Sequence, residues 1–204
     1  MLIQDLRTNA RAARRRLILD ASWELAREQG ISALTLREVA ERVGMRAPSL
    51  YEHFPAKDAI YDAMFAEGYD AFLAILPGTN DPSEPRTRAA AWLRRFFAFC
   101  RADVARYQLL FQPAIPGFHP SADSMRRAER AVTILDRELR ALGATRPATG
   151  DLWTALVTGM VSQQIANDPA GDRWERLIEE AVEMFMDHLE HTEGKGEGDD
   201  AHMD

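Results

Sequence analysis

Residues 36–54 of this chain, LREVAERVGMRAPSLYEHF, place hydrogen-bond donors around a glycine and a proline. Arginine and serine can bind base edges in a DNA groove, whereas tyrosine, histidine and lysine can bind phosphate oxygens. Small neighbours would let the backbone approach the bases closely. The side chains and small residues of this candidate nucleic-acid surface are Arg46, Ala47, Pro48, Ser49, Tyr51, His53 and, just beyond the stretch, Lys57.

The distribution of charge supports a polyanionic partner for this region alone. The chain carries a net charge of −7, yet residues 1–57 hold ten basic and seven acidic side chains. The remaining residues hold 15 basic and 25 acidic side chains. A basic head on an acidic body indicates that the head meets a polyanion while the body is repelled from it. Arginines that merely cover a solvated helix remain the alternative interpretation.

Local signals predict the elements that position these side chains. Gly30 is expected to end a first helix. Thr35 and Glu38 fit a capping box, in which the hydroxyl and the carboxylate satisfy the first turn of the next helix. Gly44 supplies a tight turn, and Pro48 suits the first turn of a third helix. The apolar residues Leu36, Val39, Ala40, Val43 and Leu50 are expected to face inward, which predicts a helix-turn-helix.

Residues 34–65, LTLREVAERVGMRAPSLYEHFPAKDAIYDAMF, resemble the DNA-binding domain of the TetR family of transcriptional repressors. The resemblance implies that Arg46, Ala47, Pro48, Ser49, Tyr51 and His53 face the bases, and that Thr35, Tyr51, His53 and Lys57 contact phosphates. It also implies a homodimer on an operator in double-stranded DNA and a small-molecule effector. The sequence departs from the family where a serine or threonine often caps the recognition helix, because Arg46 stands there.

Helical periodicity dominates the rest of the chain, and we expect an all-α protein. Residues 76–85 and 112–123 are rich in proline and should interrupt helices. We expect a helix-turn-helix domain with a basic N-terminal arm over 1–57, an effector-binding and dimerisation domain over 58–191, and a disordered acidic tail over 192–204.

Aromatic residues on separate predicted helices could line a pocket for an apolar or aromatic small molecule. The candidates are Phe96, Phe97, Cys100, Phe111, Phe118, Trp153, Met160 and Gln163. Aromatic residues at helical spacing also form ordinary protein cores, so both interpretations stay open. Gln163 and Gln164 lie among apolar neighbours and need hydrogen-bond partners, and one of them is expected to face solvent or a second subunit.

A dimer interface is predicted on the last two helices, residues 150–167 and 173–191. The first is apolar or small on nearly all sides, so it should be buried on most of them. A glycine inside a helix costs about 1 kcal/mol relative to alanine, which close packing of a second helix would offset. The interface candidates are Ala155, Gly159, Trp174, Ile178, Val182 and Phe185.

Enzymatic and metal-binding functions find little support in the sequence, and we expect no enzyme, no cofactor and no metal site. No histidine follows a glutamate by three residues, as di-metal helical bundles require, and no nucleotide-binding loop is present. His188 and His191 share one helical face without carboxylate or thiolate partners, and Cys100 lies in an aromatic cluster.

The single cysteine and the lack of a long apolar run predict a cytoplasmic protein with no membrane partner. The favoured function is a DNA-binding repressor that a small apolar or aromatic ligand releases from its operator. Two alternatives remain: a helical small-molecule-binding protein, and a constitutive DNA-binding protein without an inducer.

Overall fold

The computed structural model describes residues 2–78 and 80–193, with side chains described for 8–78 and 80–192. Over this range the chain is helical and contains no strand, which confirms the predicted all-α class. The helices are α1 (Leu2–Gln29), α2 (Leu36–Arg42), α3 (Ala47–Tyr51), α4 (Lys57–Leu73), α5 (Pro85–Ala102), α6 (Val104–Phe111), α7 (Ala122–Ala141), α8 (Pro147–Asn167) and α9 (Ile178–Glu193). Short 3₁₀ turns occupy Ile31–Ala33 and Glu175–Leu177.

The turn between α2 and α3 follows from one glycine. Gly44 adopts a φ of +65°, a left-handed conformation that side chains with a Cβ rarely adopt. The N–H of Met45 donates to the carbonyl of Ala40 at 2.8 Å, and the N–H of Gly44 donates to that of Glu41 at 3.1 Å. These two bonds form a Schellman motif, which satisfies the last carbonyls of α2 and reverses the chain.

Thr35 caps α2, although the capping box differs from the predicted one. The hydroxyl oxygen of Thr35 accepts from the N–H of Glu38 at 3.3 Å, as expected. The Glu38 carboxylate accepts from the same hydroxyl at 2.6 Å. The reciprocal bond therefore joins the two side chains, whereas a standard capping box brings the carboxylate back to the backbone N–H of the cap residue.

The chain divides into two compact units. The first unit comprises the chain up to Ala71 together with Asp103–Ala128, and the second comprises Phe72–Ala102 together with the chain from Glu129 onward. The proposed boundary between residues 57 and 58 concerns a division by function and stays a prediction. Residues 194–204 of the predicted tail lie outside the described residues.

In the second unit, α5, α8 and α9 pack around an aromatic core. Trp153 lies 4.5 Å from Phe185 and 6.1 Å from Trp92, measured between ring centroids, and Trp92 stacks on Phe96 at 5.5 Å. These side chains are all nearly inaccessible to solvent. They come from three helices, so their burial stabilises the packing of the unit.

Two expectations about the last helices need correction within this chain. Helix α8 is buried along one face only, through Trp153, Val157 and neighbouring positions, while Leu152 is 47% exposed. An apolar helix sequence indicates that the helix tends to be buried, but it does not identify the surface that covers each of its faces. The last helix begins at Ile178 and not at residue 173. Trp174 caps the 3₁₀ turn Glu175–Leu177, which comes before the helix.

No helix in the described part of the chain is both long enough and apolar enough to cross a membrane.

Candidate nucleic-acid interface

Helix α3 buries one side and leaves the other to solvent. Leu50 of α3 and Phe54 just beyond it are fully buried and anchor the helix within the first unit. Opposite them, Tyr51 is 51% exposed and Arg46 is exposed. Arg46 occupies the N-cap in an extended conformation without a side-chain capping bond, so its guanidinium is not used to hold the helix.

The remaining candidates on α3 and just beyond it differ in their accessibility. Pro48 is exposed at the start of the helix, whereas Ala47, Ser49 and His53 are half-buried. The Nδ1 atom of His53 is buried and has no hydrogen-bond partner among the described residues. Only Nε2 of this imidazole could therefore meet a phosphate.

The two candidates outside α3 lie on flanking elements. Thr35 is exposed at the start of α2, where its hydroxyl is engaged with Glu38. Lys57 begins α4 and is half-buried: its Nζ lies 3.4 Å from the carbonyl oxygen of Ser32 and 5.1 Å from the ring centroid of Tyr61. The ammonium is thus held near the surface by two groups, which suits a residue that contacts phosphate at a fixed place.

The arginines of α1 lie within the helix and not ahead of it, because α1 begins at Leu2. Arg11 donates to the carbonyl of Glu52 at 3.4 Å, and Arg15 donates to the carbonyl of His53. Arg16 pairs with Asp20 at 2.9 Å and with Glu67 at 3.2 Å. Arg14 is exposed. The side chain of Arg7 is outside the described ones.

A cavity of about 360 Å³ lies in the first unit. Its walls come from α4, the end of α6, the 112–120 segment and the start of α7. Its lining residues are Phe65, Tyr69, Leu109, Leu110, Phe111, Gln112, Pro113, Ala114, Ile115, Phe118, Pro120, Met125 and Ala128. None of these side chains carries a formal charge at neutral pH, so the cavity suits an uncharged, largely apolar ligand.

Aromatic contacts and one close approach shape the cavity walls. Phe65 lies 4.7 Å from Tyr69 and 6.5 Å from Phe118 between ring centroids. The Tyr69 hydroxyl lies 3.4 Å from the Leu110 carbonyl oxygen, and burial raises the pKa of Tyr69 above its usual value of 10.0. Gly68 lets α4 approach α6, since a Cβ at this position would lie 3.0 Å from Leu110 Cδ2.

The structure brings two of the eight predicted pocket residues together at this cavity, Phe111 and Phe118. Five others are buried in the second unit and line its core: Phe96, Phe97, Cys100, Trp153 and Met160. Gln163 is exposed and accepts a hydrogen bond from Asn167 at 2.8 Å. Its neighbour Gln164 is fully buried, and its amide bonds the backbone around residues 168–175.

The predicted dimer residues fall into two groups. Ala155 and Gly159 are exposed on α8, and a Cβ at Gly159 would meet nothing within 4 Å. Ile178, Val182 and Phe185 are buried inside their own chain, and Trp174 is half-buried. The stripe of α9 that predicted a subunit contact is thus used within the second unit.

Sequence reasoning missed Asp103, which separates α5 from α6. Its carboxylate caps α6 by accepting from the N–H of Arg106 at 3.0 Å, and it also binds Arg27 of α1. An aspartate directly after the aromatic-rich helix α5 was the available signal for a cap. The α4 contribution to the cavity was missed as well, because Phe65 and Tyr69 read as ordinary apolar positions of a helix.

Comparisons with known proteins identify the helix-turn-helix region and the fold. The model of a family described as bacterial regulatory proteins, tetR family, matches residues 18–64. The tetracycline repressor protein class A from transposon 1721 of Escherichia coli is 31% identical over 167 residues, which cover 76% of this chain and 69% of the relative. The HTH-type transcriptional activator FasR of Mycolicibacterium smegmatis is 30% identical over 103 residues, so the match spans 50% of this chain and about half, 47%, of that relative.

Solved structures share the fold. A TetR variant from Acinetobacter baumannii AYE, in complex with minocycline, is 24% identical with a TM-score of 0.54 over 86% of this chain and 96% of that chain. The regulator FadR from Bacillus subtilis, in complex with stearoyl-CoA, is 15% identical with a TM-score of 0.59 over 84% of this chain and 97% of that chain. From the helix-turn-helix and the repressor relative together, the chain belongs to the TetR family of DNA-binding transcriptional regulators, a family without enzymatic activity.

Proposed function

We propose that this protein is a homodimeric repressor that leaves its operator when an uncharged apolar or aromatic compound fills the cavity of the first unit. The observation that carries the proposal is that the cavity and the helix-turn-helix belong to the same compact unit. A change of cavity shape can therefore reach the DNA-binding surface through directly packed helices.

Helix α4 is the direct route between the two sites. It begins at Lys57, a candidate phosphate contact, and places Phe65 and Tyr69 in the cavity wall two and three turns later. A ligand that displaces either aromatic ring would tilt or shift α4 along its length. Helices are stiff over this distance, so the displacement would move Lys57 and the preceding α3.

A second route passes through α6 and α1. Asp103 caps α6 and binds Arg27 of α1, while Leu110 at the other end of α6 forms part of the cavity wall. The segment that closes the cavity is tied to α4 as well, because Asp62 accepts from the N–H and the hydroxyl of Ser121 at 2.7 and 2.9 Å. These polar contacts are expected to convert a local expansion of the cavity into a movement of the first unit's helices.

The ligand class follows from the lining of the cavity. A volume of about 360 Å³ is at the lower end of drug-sized sites, and the polar side chains at its wall are those of Tyr69 and Gln112. Minocycline and stearoyl-CoA are bound in two structures of the same fold, so this fold accommodates aromatic and acyl compounds. For this chain we propose a compact aromatic or alicyclic compound with few hydrogen-bonding groups.

The dimer is part of the proposal, with α8 as its centre. The outer face of α8 presents Leu152 at 47% exposure beside Ala155 and Gly159, and α9 presents Met184 at 58% exposure. Small residues allow helices to approach closely, and the larger apolar side chains supply area to bury. Two such surfaces, one from each subunit, would hold the two helix-turn-helix domains at the roughly 34–36 Å spacing of successive major grooves. The proposed site of action is the cytoplasm, where bacterial DNA lies.

A thermal-shift screen followed by a mobility-shift assay tests the proposal. DNA from upstream of the protein's own gene is the first probe, and compounds that raise the melting temperature are added to the complex. Linkage requires ligand and DNA to weaken each other equally, by typically 1–3 kcal/mol. If the stabilising compounds leave the DNA complex intact, the proposed release of DNA by the ligand is wrong.

Activation of transcription is the second candidate function, since the FasR relative is an activator. A promoter–reporter fusion assayed with and without the protein separates the two. Repression lowers reporter output in the absence of ligand, whereas activation raises it.

A further inference from the structure

We propose that Arg11 and Arg15 of α1 are positioning residues for α3: they hold its C-terminal end and so set the angle at which it meets DNA. The inference rests on the proposed function in one respect, because it takes α3 as the helix that reads bases. It concerns two arginines of the basic N-terminal region, Arg11 and Arg15.

Helix α3 needs external support, since it contains only five residues, Ala47–Tyr51. Isolated helices shorter than about 12–15 residues are marginal in water, because nucleation fixes several residues for one hydrogen bond. Leu50 and Phe54 anchor one side of α3 by full burial. Burial of two side chains holds one side of the helix, and contacts to its C-terminal end would fix its tilt.

Glu52 is the C-cap of α3 and His53 follows it, so their carbonyl groups lie past the last hydrogen bonds of the helix. Arg11 donates to the carbonyl oxygen of Glu52 at 3.4 Å, and Arg15 donates to the carbonyl oxygen of His53. The two arginines are four residues apart and therefore lie on one face of α1. Two adjacent carbonyls are thus held by two guanidinium groups from the same neighbouring helix.

Arg15 is fixed by a further contact. Its guanidinium carbon lies 4.1 Å from the ring centroid of Phe54, a fully buried residue just beyond α3. Stacking on an aromatic ring and a charge-assisted hydrogen bond restrain a guanidinium in orientation as well as in place. A positive charge at the C-terminal end of a helix also interacts favourably with the helix dipole.

Arg14 provides a matched control in the same helix. It is exposed on α1, and its replacement removes the same charge from the same basic helix. Any effect that Arg14→Gln shares with Arg15→Gln therefore reports on charge. An effect seen only in Arg11→Gln and Arg15→Gln reports on the positioning of α3.

The test compares Arg11→Gln, Arg15→Gln and Arg14→Gln in the full-length protein. The probes are the duplex that the wild type selects from a random library and a scrambled duplex of the same composition, each titrated over a range of salt concentrations. Because Arg15→Gln removes a charge-assisted hydrogen bond, we expect its affinity for the selected duplex to fall by about tenfold. Arg11→Gln, with the longer bond, should lose less.

The salt dependence and the base preference distinguish positioning from phosphate contact. We expect Arg15→Gln to keep the wild-type salt slope, to bind the scrambled duplex as the wild type does, and to select a less defined sequence. Arg14→Gln should affect both duplexes alike. A salt slope lowered by about one in Arg15→Gln, with equal weakening on both duplexes, would identify a phosphate contact and overturn the inference.

Two further outcomes are decisive. Arg15→Gln that behaves as the wild type on both duplexes would also overturn the inference. Should Arg15→Gln fail to fold, Arg11→Gln decides on the same readouts, since it leaves the contact between Arg15 and Phe54 in place. A wild type that selects no sequence would instead refute α3 as a base reader and the proposed function with it.

Discussion

Arg27 in α1 donates two hydrogen bonds to one carboxylate oxygen of Asp103, from Nε at 2.9 Å and from Nη2 at 2.7 Å. The other oxygen of Asp103 accepts from the N–H of Arg106 at 3.0 Å and caps α6. One buried carboxylate therefore joins the helix that leads into the helix-turn-helix to the helix that ends at the cavity.

Arg27→Ala should destabilise the first unit and weaken the coupling between ligand and DNA. The Asp103 side chain is only 7% exposed, so it would be left without its main ionic partner. Because Arg27 itself is half-exposed, water can compensate in part for the lost ion pair. We expect the free energy of unfolding, measured by urea denaturation, to fall by about 1–2 kcal/mol. Arg37→Ala breaks an exposed pair with Glu41 and should change nothing measurable, which makes it the control.

Arg46→Ala and Lys57→Ala should have different effects on DNA binding. Arg46 is exposed at the start of α3, and its loss is expected to cost about 1–3 kcal/mol at one base position and to relax specificity there. Lys57→Ala should weaken binding to all sequences and lower the salt slope by about one. Binding-site selection and salt titration measure both. An altered selected sequence in Lys57→Ala alone would reverse the two roles.

Phe111→Leu and Phe96→Leu distinguish the cavity from the aromatic core of the second unit. Phe111 lines the cavity, and its replacement should weaken a stabilising ligand by about fivefold or more with a small loss of stability. Phe96 is 3% exposed in the core, and its replacement should cost about 1–3 kcal/mol of stability without changing ligand affinity. Calorimetry and urea unfolding measure the two quantities. The opposite pattern would move the ligand site into the second unit.

Gly159→Leu should convert the dimer into monomers or aggregates in light scattering. Within one chain a Cβ at this position meets nothing within 4 Å, so the single subunit tolerates the larger side chain. A partner helix lying close to this strip would not. Ala141→Leu, at an exposed position near the end of α7, is the control and should leave the mass unchanged. A fully dimeric Gly159→Leu would place the interface elsewhere.

Asp81 should contribute an acid-sensitive component to stability. Hydrogen bonds from Arg95, and from the N–H of Gly78 at 2.7 Å, lower the pKa of Asp81 below its usual 3.8, against the opposing effect of burial. The stabilisation is therefore complete above that usual value and is lost as the pH falls through the lowered pKa. Asp81→Asn should flatten the fall in unfolding free energy below about pH 4. Asp136→Asn, at an exposed pair with Arg140, should leave the fall as steep as in the wild type.

The helix-turn-helix could be predicted from the sequence because its determinants are local. Thr35 lies three residues before the N–H it caps, and Gly44 alone accounts for the left-handed turn after α2. The partners of such interactions are near in the chain, so spacing identifies them. The cavity could not be predicted in this way, since Phe65 on α4 and Phe118 beyond α6 are brought together only by packing.

The sequence by itself determined the helical class, the helix-turn-helix and the uneven distribution of charge, because periodicity, caps and charge are properties of neighbouring residues. Only the tertiary structure decided what each buried or charged side chain meets. Hydrophobic spacing marked Ile178 and Phe185 for burial without saying whether a second subunit or their own chain would cover them. Likewise, the charge of Arg15 was evident, but its assignment to the carbonyl of His53, 38 residues away, required the fold.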